Sequence, residues 1–584
     1  MSPRPVLHAR RAPHRARRNH GSPVDPTPLL LASGLSPSDV TRLLTPYGFQ
    51  DTKRADANLQ AMAGEPRSRR LLASALAELL QAVAQTADPD QALDHWEQFL
   101  QEGVNRIQLF EYLGQVPRIL HLFCTIFGNS PSLAQTLIRD PLLVYWLAEE
   151  QVLTRRPSRA ALNRALRAML QNVEAFDLKL DALRRFRRRE MLRIGVRDLL
   201  RLSDVPQTTV ALSDLAGVLI QAAYETVSVA LCRRYGTPMH RDRGGQLVET
   251  GFAVIGMGKL GGGELNFSSD VDLIYVYATD EGETRSTGRE DRKSRSTGAP
   301  SISNEEYFEY LARDLTRALG EVTQEGYVFR VDLRLRAEGS VGRLARPLAG
   351  YRQYYQTRGQ GWERLALVKA WPVAGDLSVG RAFLRMAQPF VFDAVRTGAE
   401  RTLFEEVRAI KETIDGKIAT RGETNRNVKL GTGGIREVEF LVQAIQVGYG
   451  GRLVGIRDRN TLASLERFRR HGLLSAQEQQ RLASAYLFLR DVEHKLQMVH
   501  DLQTHALPES AEESMRCAIR LGYSSADRLV AARRFLADHR RHTNIVHRLF
   551  KGLFYAKRSP LLSAVRRVAS GAKKQKRPGG SNAP

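Results

Sequence analysis

The stretch that decides the fold is residues 256–274, which read GMGKLGGGELNFSSDVDLI. Its first six letters match G-x-G-x-x-G, the turn that binds dinucleotides at the start of a long helix. Only Leu260 to Ser268 separate this turn from the next strand, and three glycines in that interval disfavour a helix. Lys259 is followed by Leu rather than by Ser or Thr, so the P-loop pattern fails as well. We therefore infer that this turn does not bind a dinucleotide.

Two acidic residues follow the turn at strand spacing. Asp270 and Asp272 begin DVDLIYVY (270–277), and residues two apart on a strand point to the same face. Two carboxylates on one face repel each other unless a cation lies between them, and Mg²⁺ accepts carboxylate oxygens together with substrate phosphates. The N–H groups of a glycine-rich turn can cradle those phosphates. The residues expected to bind nucleotide phosphates here are Gly256, Gly258, Lys259 and Ser269.

A third acidic residue lies on a later predicted strand. YVFRVDLRLR (327–336) alternates apolar and charged residues, which predicts a strand with Asp332 on its charged face beside Arg330, Arg334 and Arg336. If the two strands are neighbours, three carboxylates converge. The predicted catalytic and metal-binding residues are therefore Asp270, Asp272 and Asp332, with Arg334 and Arg336 balancing phosphate charge. An isolated D-x-D is more often a solvated strand end or a helix cap, but this combination favours a site.

The layout along the chain predicts an α+β protein. Its 584 residues are enough for two to four domains. Apolar residues recur at helical spacing before and after the strands, and 305–322 is a helix within the strand region. We predict a mostly helical chain with an inserted α/β module containing a small mixed sheet. The predicted boundaries are a disordered basic tail (1–26), a helical region (27–245), the module (246–380) with a flexible insertion (279–304), a C-terminal helical bundle (381–556) and a second disordered basic tail (557–584).

Composition narrows the functional classes. The net charge is +24, but thirteen of these charges lie in residues 1–25 and 557–584, so we expect at most weak nucleic-acid contacts by the tails. Tight RNA binding that survives removal of the tails would instead indicate a nucleic-acid-directed enzyme. Three scattered cysteines fit a reducing cytoplasm, and no apolar run predicts a membrane span.

The combined pattern of glycine turn, Asp-x-Asp and later Asp resembles the nucleotidyltransferase fold of the DNA polymerase β superfamily. IGMGKLGGGELNFSSDVDLIY (255–275) more narrowly resembles the signature of glutamine synthetase adenylyltransferases. The segments that share the resemblance are LRRFRRREMLRIGVRDL (183–199), YVFRVDLRLRAEGSVGRL (327–344), GWERLALVKAWPVAGD (361–376), VKLGTGGIREVEFLVQ (428–443) and AYLFLRDVEHKLQMVHDLQTHALP (485–508).

The resemblance implies a reaction, partners and a cofactor. Family members commonly carry two such halves: one removes AMP from a glutamine synthetase tyrosine by phosphorolysis and releases ADP, and the other transfers AMP from ATP. This chain has one Ser-Asp-x-Asp motif, and ELNFSSDVDLI (264–274) resembles the removing half. The resemblance thus implies Mg²⁺, phosphate and ATP or ADP as small molecules, glutamine synthetase as protein substrate and a PII-type signalling protein as a further partner. The alternatives are ATP-dependent adenylylation and a catalytically silent binding module.

Several residues carry two interpretations. Ala337 and Trp371 depart from the Pro and Arg usual in the family, which puts a phosphate or partner contact in doubt. Two sets of residues are equally compatible with a role at the site and with packing: Arg436, Glu437 and Glu439, and Trp362, Glu363, Arg364 and Lys369. RRFRRRE (184–190) is predicted as a solvated helix face, with contact to an acidic partner as the alternative.

Overall fold

The computed structural model describes residues 25–285, 301–392, 400–525 and 527–556. Its contacts divide the chain into two compact units. The first contains the described residues up to 85 together with 89–124, and the second contains 86–88 and the described residues from 125 onwards. Most of the predicted basic tails, residues 1–24 and 557–584, lie outside the described residues.

Short helices build the first unit around an aromatic core. Pro at the first turn and Ser, Asp or Asn at the N-cap begin several of them, since these residues satisfy or remove the free N–H groups of a helix start. Trp96 packs against Phe99 and Phe123 in its interior. The helices are α1 (Pro28–Leu31), α2 (Pro37–Leu44), α3 (Thr52–Ala63), α4 (Pro66–Ala84), α5 (Pro89–Gln101), α6 (Arg106–Gln115) and the first part of α7 (Pro117–Asn129), whose residues from 125 onwards belong to the second unit.

The second unit continues with further helices before its strands begin. They are α8 (Pro131–Arg139), α9 (Leu143–Ala148), α10 (Glu150–Thr154), α11 (Arg159–Leu170), α12 (Phe176–Leu199) and α13 (Val205–Tyr235). Among the described residues, α13 alone has the length and composition of a membrane span, and 56% of its apolar window is buried within the protein. It packs against α12, α15 (Asn304–Gly320) and the edge strand Trp371–Gly375, as a core helix of a globular unit does.

Strands of the second unit form two small sheets. In chain order they are β1 (Thr237–Arg241), β2 (Leu247–Glu249), β3 (Phe252–Gly256), β4 (Val271–Tyr277), β5 (Glu283–Arg285), β6 (Val331–Asp332), β7 (Ala345–Pro347) and β8 (Trp371–Gly375). One sheet has the order β2-β1-β5, and the other has the order β6-β4-β3-β8 with β7 also paired to β4. β3 is antiparallel to β4 and β8, whereas β6 and β7 are parallel to β4, so the larger sheet is mixed as predicted.

Helices cover and follow this sheet. They are α14 (Gly258–Gly262), α15, α16 (Leu348–Thr357), α17 (Gly361–Leu367) and α18 (Leu377–Phe392), followed by α19 (Glu400–Ala419), α20 (Ile435–Tyr449), α21 (Thr461–Arg470), α22 (Ala476–His500), α23 (Ala511–Arg520) and α24 (Arg528–Phe554). Ile255 and Ile274 of the sheet share one hydrophobic core with Ile435 of α20 and Leu489 of α22. The α+β fold with a helical C-terminal region is therefore confirmed.

The strand predicted at 327–336 is wrong over most of its length. Only Val331 and Asp332 pair in a sheet. Val328 and Phe329 both direct their N–H groups to the carbonyl of Leu319, and the Asp332 carboxylate accepts a hydrogen bond from the N–H of Arg334. Such local side-chain bonding competes with a ladder, which is why alternation alone misled here.

The range predicted as a flexible insertion, 279–304, is partly regular structure. Residues 286–300 lie outside the described residues. Glu283–Arg285 form β5 against β1, and Asn304 begins α15. Asn304 is buried and its amide donates to the carbonyls of Met239 and Glu281, so this residue fixes the end of the insertion to the small sheet.

The arginine run of α12 is not a solvated face. Arg184 is buried and donates to Asp181 and to the carbonyl of Glu321. Arg188 forms an ion pair with Glu325 at 2.8 Å. The solvated interpretation is therefore wrong for Arg184 and Arg188, which lie against the loop before β6, whereas Arg185 pairs with Glu325 and is 42% exposed.

Candidate active site

The glycine turn lies directly against the second aspartate. Gly258 follows β3 with φ of +51°, which favours glycine, and a Cβ there would lie 2.6 Å from Asp272 Oδ2. The N–H of Met257 donates to the carbonyl of Asp272 at 2.8 Å. At Gly261 a Cβ would overlap the carbonyl oxygen of Lys369. These close approaches explain why glycine occupies positions 258 and 261, since any side chain there would overlap a neighbouring group.

The structure places Asp332 beside Asp272. β4 and β6 run parallel, with Val271 opposite Val331 and Asp272 opposite Asp332, so the two carboxylates project to the same side of the sheet. Asp270 precedes β4, and all three aspartates line one cavity of the second unit. We call Asp270, Asp272 and Asp332, with their neighbours Arg330 and Arg334, the carboxylate cluster.

Arginines hold two of the three carboxylates. Arg330 Nε donates to Asp270 Oδ1 at 2.8 Å, and Arg334 donates to both oxygens of Asp332. Within the described residues, no three His, Cys, Asp or Glu side chains are already arranged as a metal-binding group. The predicted convergence therefore holds for the positions of the residues, while the carboxyl groups of Asp270 and Asp332 are turned to arginines.

The pKa values of the two facing carboxyl groups, Asp272 and Asp332, are shifted in opposite directions. Burial raises the pKa of Asp272 to about 6, and the negative charge of Asp332 adds to that rise. The hydrogen bonds from Arg334 lower the pKa of Asp332. Asp272 is therefore the group of this pair that has no ion-pair partner among the described residues and that a bound cation would stabilise most.

A cavity of about 760 Å³ opens over this cluster. Of the residues predicted for phosphate binding, Gly258, Lys259, Ser269 and Arg334 line it. Its other lining residues are Asp270, Asp272, Asp332, Leu335, Trp362, Leu365, Ala366, Lys369, Ile410, Ile414, Lys429, Leu430, Arg436, Glu439, Phe440, Gln443 and Gln503. The walls therefore combine the carboxylates with several cations and an apolar side.

Two residues predicted to bind phosphate lie elsewhere. Arg336 is buried and donates to the carbonyls of Leu333, Ser340 and Gly342, so its guanidinium holds the turn after β6. Gly256 ends β3, and a Cβ there would meet the Val373 side chain at 2.8 Å. Neither residue lines the cavity over the carboxylate cluster, because Gly256 belongs to the paired strand β3 and the Arg336 guanidinium is used by its own turn.

Lys259 and Lys369 line the cavity but are already paired. Lys259 Nζ lies 2.8 Å from Glu493 Oε1, and Lys369 Nζ lies 2.7 Å from Glu264 and 3.3 Å from Glu439. Burial alone would raise the pKa of Glu439, yet Lys369 and Arg436 hold it at about 2. We call these five residues, Lys259, Glu264, Lys369, Glu439 and Glu493, the buried ion-pair cluster. It fixes the glycine turn to α20 and α22.

Lys429 was missed by the sequence reasoning. It lies between α19 and α20, is half-buried, and has no carboxylate within 4 Å in the part of the chain that the structure describes. Its positive charge reaches Asp272 across the cavity and lowers the pKa of that carboxyl. The signal is present in VKLGTGGIREVEFLVQ (428–443), where Lys429 stands two residues before the first glycine.

The residues with two interpretations separate in the structure. Arg436, Glu439, Trp362 and Lys369 line the cavity, whereas the others are structural. Glu437 is buried against Lys411 and His547. Glu363 caps α17 through the N–H of Gln360, and Arg364 lies over the ring of Phe390. Their packing roles follow from burial of the helices that carry them.

The two departures from the family pattern fall outside the cavity. Ala337 is fully buried in the hydrophobic core. Trp371 begins β8, is partly exposed and lies under the guanidinium of Arg459 at 4.3 Å. Neither residue lines the cavity over the carboxylate cluster.

Comparisons with known proteins place this arrangement in a family. Residues 120–386 match the glutamate-ammonia ligase adenylyltransferase family, and residues 408–554 match the GlnD PII-uridylyltransferase family. The first match spans α8 to α18 and includes every member of the carboxylate cluster. The second covers nearly all of the helical region from α19 to α24, including Lys429.

Individual relatives agree. The bifunctional glutamine synthetase adenylyltransferase/adenylyl-removing enzyme of Xanthomonas campestris pv. campestris (strain B100) is 41% identical over 358 residues, which is 61% of this chain and 36% of that protein. The protein of the same name from Nitrosococcus oceani is 37% identical over 439 residues, 75% of this chain and 43% of the relative. The protein of that name from Pseudomonas aeruginosa is 38% identical over 403 residues, which is 69% of this chain and 39% of the relative.

The chain thus spans about two fifths of the length of the curated relatives it matches. The glycine turn, the paired strands β4 and β6 and the helices α8 to α13 all lie within the matched residues. Over residues 120–386, the chain belongs to the glutamate-ammonia ligase adenylyltransferase family.

Proposed function

We propose that the protein is a nucleotidyltransferase that removes AMP from the adenylyl-tyrosine of glutamine synthetase by phosphorolysis, which gives glutamine synthetase and ADP. The observation that carries nucleotidyl transfer is the register of β4 and β6, which sets Asp272 beside Asp332 next to the glycine turn. The names of the relatives support the protein substrate. The direction rests on the resemblance of ELNFSSDVDLI (264–274) to the removing half.

The residues proposed to hold Mg²⁺ are Asp270, Asp272 and Asp332. The ion would neutralise charge on the phosphoryl oxygens. The donor set fits it, because all three groups offer hard oxygens and the raised pKa of Asp272 marks a carboxyl whose charge lacks a partner. Arg330 and Arg334 must then release Asp270 and Asp332. The Arg334 side chain is 78% exposed, so solvent can receive it.

Phosphorolysis needs an anionic nucleophile beside carboxylates that repel it. Lys429 is proposed to hold that phosphate, since its ammonium has no carboxylate partner among the described residues whereas Lys259 and Lys369 are paired. Arg334, once released from Asp332, would bind a second oxygen. A phosphate oxygen then attacks the adenylyl phosphorus in line, and the bond from phosphorus to the tyrosine oxygen breaks.

Partners follow from the same reasoning. Glutamine synthetase would present its modified tyrosine to the cavity, with phosphate and ADP, or ATP in the reverse chemistry, as small molecules. A PII-type protein is a proposed effector, supported by the match of residues 408–554 to the GlnD PII-uridylyltransferase family. The chain's bundle, rather than its sheet, would carry that contact.

Two alternatives have different supports. ATP-dependent adenylylation of glutamine synthetase uses the same cavity and the same carboxylates. A catalytically silent binding module is favoured by one observation, the pairing of Asp270 with Arg330 and of Asp332 with Arg334, which neutralises two of the three carboxylates.

The deciding experiment incubates the purified chain with adenylylated glutamine synthetase, Mg²⁺ and ³²P-labelled phosphate. Phosphorolysis is expected to give ADP with the label in its β-phosphate, because the attacking phosphate becomes that group. If the chain instead releases pyrophosphate from ATP in the presence of unmodified glutamine synthetase, the proposed direction is wrong and the activity is adenylylation. If neither product forms while the chain still binds glutamine synthetase, the proposed enzyme activity is overturned in favour of the silent binding module.

A further inference from the structure

A second cavity of about 230 Å³ lies in the same unit and shares no lining residue with the first. It is bounded by α8, α12 and the end of α22, together with the loop before β6. Four arginines line it, Arg139, Arg184, Arg187 and Arg188. We call it the arginine cavity. Its lining acids are Glu325 and Asp501, so cations exceed acids by two.

Arg187 is the arginine of this cavity that lacks a hydrogen bond. Its side chain is 13% exposed, and its nearest acidic oxygen, on Asp501, is 3.7 Å away. Its guanidinium lies over the rings of Tyr327 and Phe329, and its buried Nε has no partner. A guanidinium carries five N–H donors, and leaving the Nε donor unpaired in a buried position is costly.

Gln497 offers a second unpaired group at the same place. The residue is 1% exposed, and its buried Oε1 has no hydrogen-bond partner. Its amide also carries two N–H donors. The Nε of Arg184, on the same cavity wall, is likewise buried without a partner. Three residues that line this cavity therefore each carry a buried polar atom without a partner.

The other three arginines of the cavity each have a carboxylate within 3.3 Å. Glu325 accepts from Arg139, Arg185 and Arg188, and Arg184 also binds Asp181. Glu325 is thus occupied by arginines other than Arg187, which leaves Asp501 as the acid of the cavity that faces Arg187. The unpaired donors need a ligand with several acceptor oxygens and at least one hydroxyl for Gln497.

We propose that the arginine cavity is an anion site, separate from the catalytic cavity, which binds a phosphate-sized oxyanion between Arg187 and Gln497. A guanidinium presents parallel N–H groups that match two oxygens of a phosphate or carboxylate. A monoprotonated phosphate would accept from Arg187 and from the Gln497 amide, and would donate its hydroxyl to Gln497 Oε1.

The site is connected to the carboxylate cluster by one chain of contacts. Arg187 faces Asp501, which accepts from the Tyr327 hydroxyl at 3.3 Å. Arg330 donates to that hydroxyl at 2.8 Å and to Asp270 at 2.8 Å. An anion that draws Arg187 from Asp501 therefore acts on the residue that holds Asp270. Occupancy is expected to change the rate at the first cavity without contact with its substrate.

Equilibrium dialysis of the full chain with ³²P-labelled inorganic phosphate tests this. The wild type is expected to bind two phosphates, one held by Lys429 and one by Arg187. Arg187→Met should bind one, and Gln497→Leu should weaken the same site by about tenfold, the loss expected for a charge-assisted hydrogen bond. Arg185→Met is the matched control on the same helix, since Arg185 is 42% exposed and does not line the cavity.

The outcomes separate this proposal from the proposed function. One phosphate remaining in both Arg187→Met and Lys429→Met supports both sites. Unchanged stoichiometry in Arg187→Met overturns the anion site, whatever Lys429→Met shows. If Arg187→Met removes the only phosphate bound, the anion site stands and the Lys429 subsite fails. Circular dichroism of each variant verifies folding, and Arg187→Gln replaces Arg187→Met if the latter does not fold.

Discussion

The carboxylate cluster and the buried ion-pair cluster meet at the same glycine turn but treat charge differently. In the carboxylate cluster Arg334 is 78% exposed, and Asp272 has no cation within ion-pair distance among the described residues. In the buried ion-pair cluster Glu493 is 0% exposed and accepts two hydrogen bonds from Lys259. Exposed pairs exchange partners at little cost, whereas a buried pair cannot lose one member cheaply. The first arrangement suits a site for ligands, and the second suits the support beneath it.

The largest expected effect comes from Asp272→Asn. We expect the proposed phosphorolysis to fall by about 1,000-fold or more, because the cavity loses its uncompensated carboxylate and hence a proposed metal ligand. The readout is the rate of labelled ADP release from adenylylated glutamine synthetase. Folding should be retained, since the substitution removes a poorly solvated charge. Activity near that of the wild type would break the assignment of this cluster to catalysis.

Glu493→Gln tests the supporting cluster. Removing this carboxylate leaves Lys259 and Arg490 without their buried partner, and we expect the free energy of unfolding to fall by about 3–5 kcal/mol. Urea denaturation measures it. The matched control is Glu466→Gln, which removes exposed pairs with Arg469 and Arg470 and should change the free energy of unfolding far less. Equal losses in the two variants would contradict the distinction between the clusters.

Lys429→Met is expected to act on ligand binding rather than on folding. Its ammonium has no carboxylate within 4 Å in the described ranges, so the free energy of unfolding should change little. The KM for phosphate should rise by about 10- to 100-fold, as expected when a charge-assisted contact is lost. Steady-state kinetics with phosphate as the varied substrate measure this. A large loss of stability with an unchanged KM would instead show that Lys429 has a structural role like that of the buried ion-pair cluster.

The smallest expected effect is a pH dependence of stability. The pKa of Asp272 rises from its ordinary value of 3.8 to about 6 in the folded protein, mainly because the group is buried. Between these values the folded state holds a proton that the unfolded state has released, so this group lowers stability as pH increases through the window. Asp272→Asn should therefore gain in Tm relative to the wild type from about pH 4 to about pH 6, with no further gain above it.

The comparison of Tm values requires a buffer free of phosphate, since a bound anion would stabilise the folded state by itself. A Tm difference that stays constant from pH 4 to pH 7 would show that Asp272 is solvated like an ordinary surface carboxyl.

Local patterns were sufficient where a residue's neighbours in sequence decide its geometry. The helical character of the region before the strands followed from apolar spacing, and the glycine turn and β4 followed from GMGKLGGGELNFSSDVDLI (256–274). The nearness of Asp332 to Asp272 also followed, because charge alternation marked the right residue even though β6 spans only two residues.

Distant contacts decided the rest. Arg334 and Arg336 read alike in the sequence, yet one is exposed against Asp332 and the other is buried among carbonyls of its own turn. Lys429 lines the cavity because it lies between α19 and α20. Lys259 and Lys369 line it too, but Glu493, Glu264 and Glu439 form ion pairs with them, and these carboxylates come from distant parts of the chain. The sequence by itself determined the acids and the turn. The tertiary structure alone determined their partners, since burial and pairing depend on residues that are far apart along the chain.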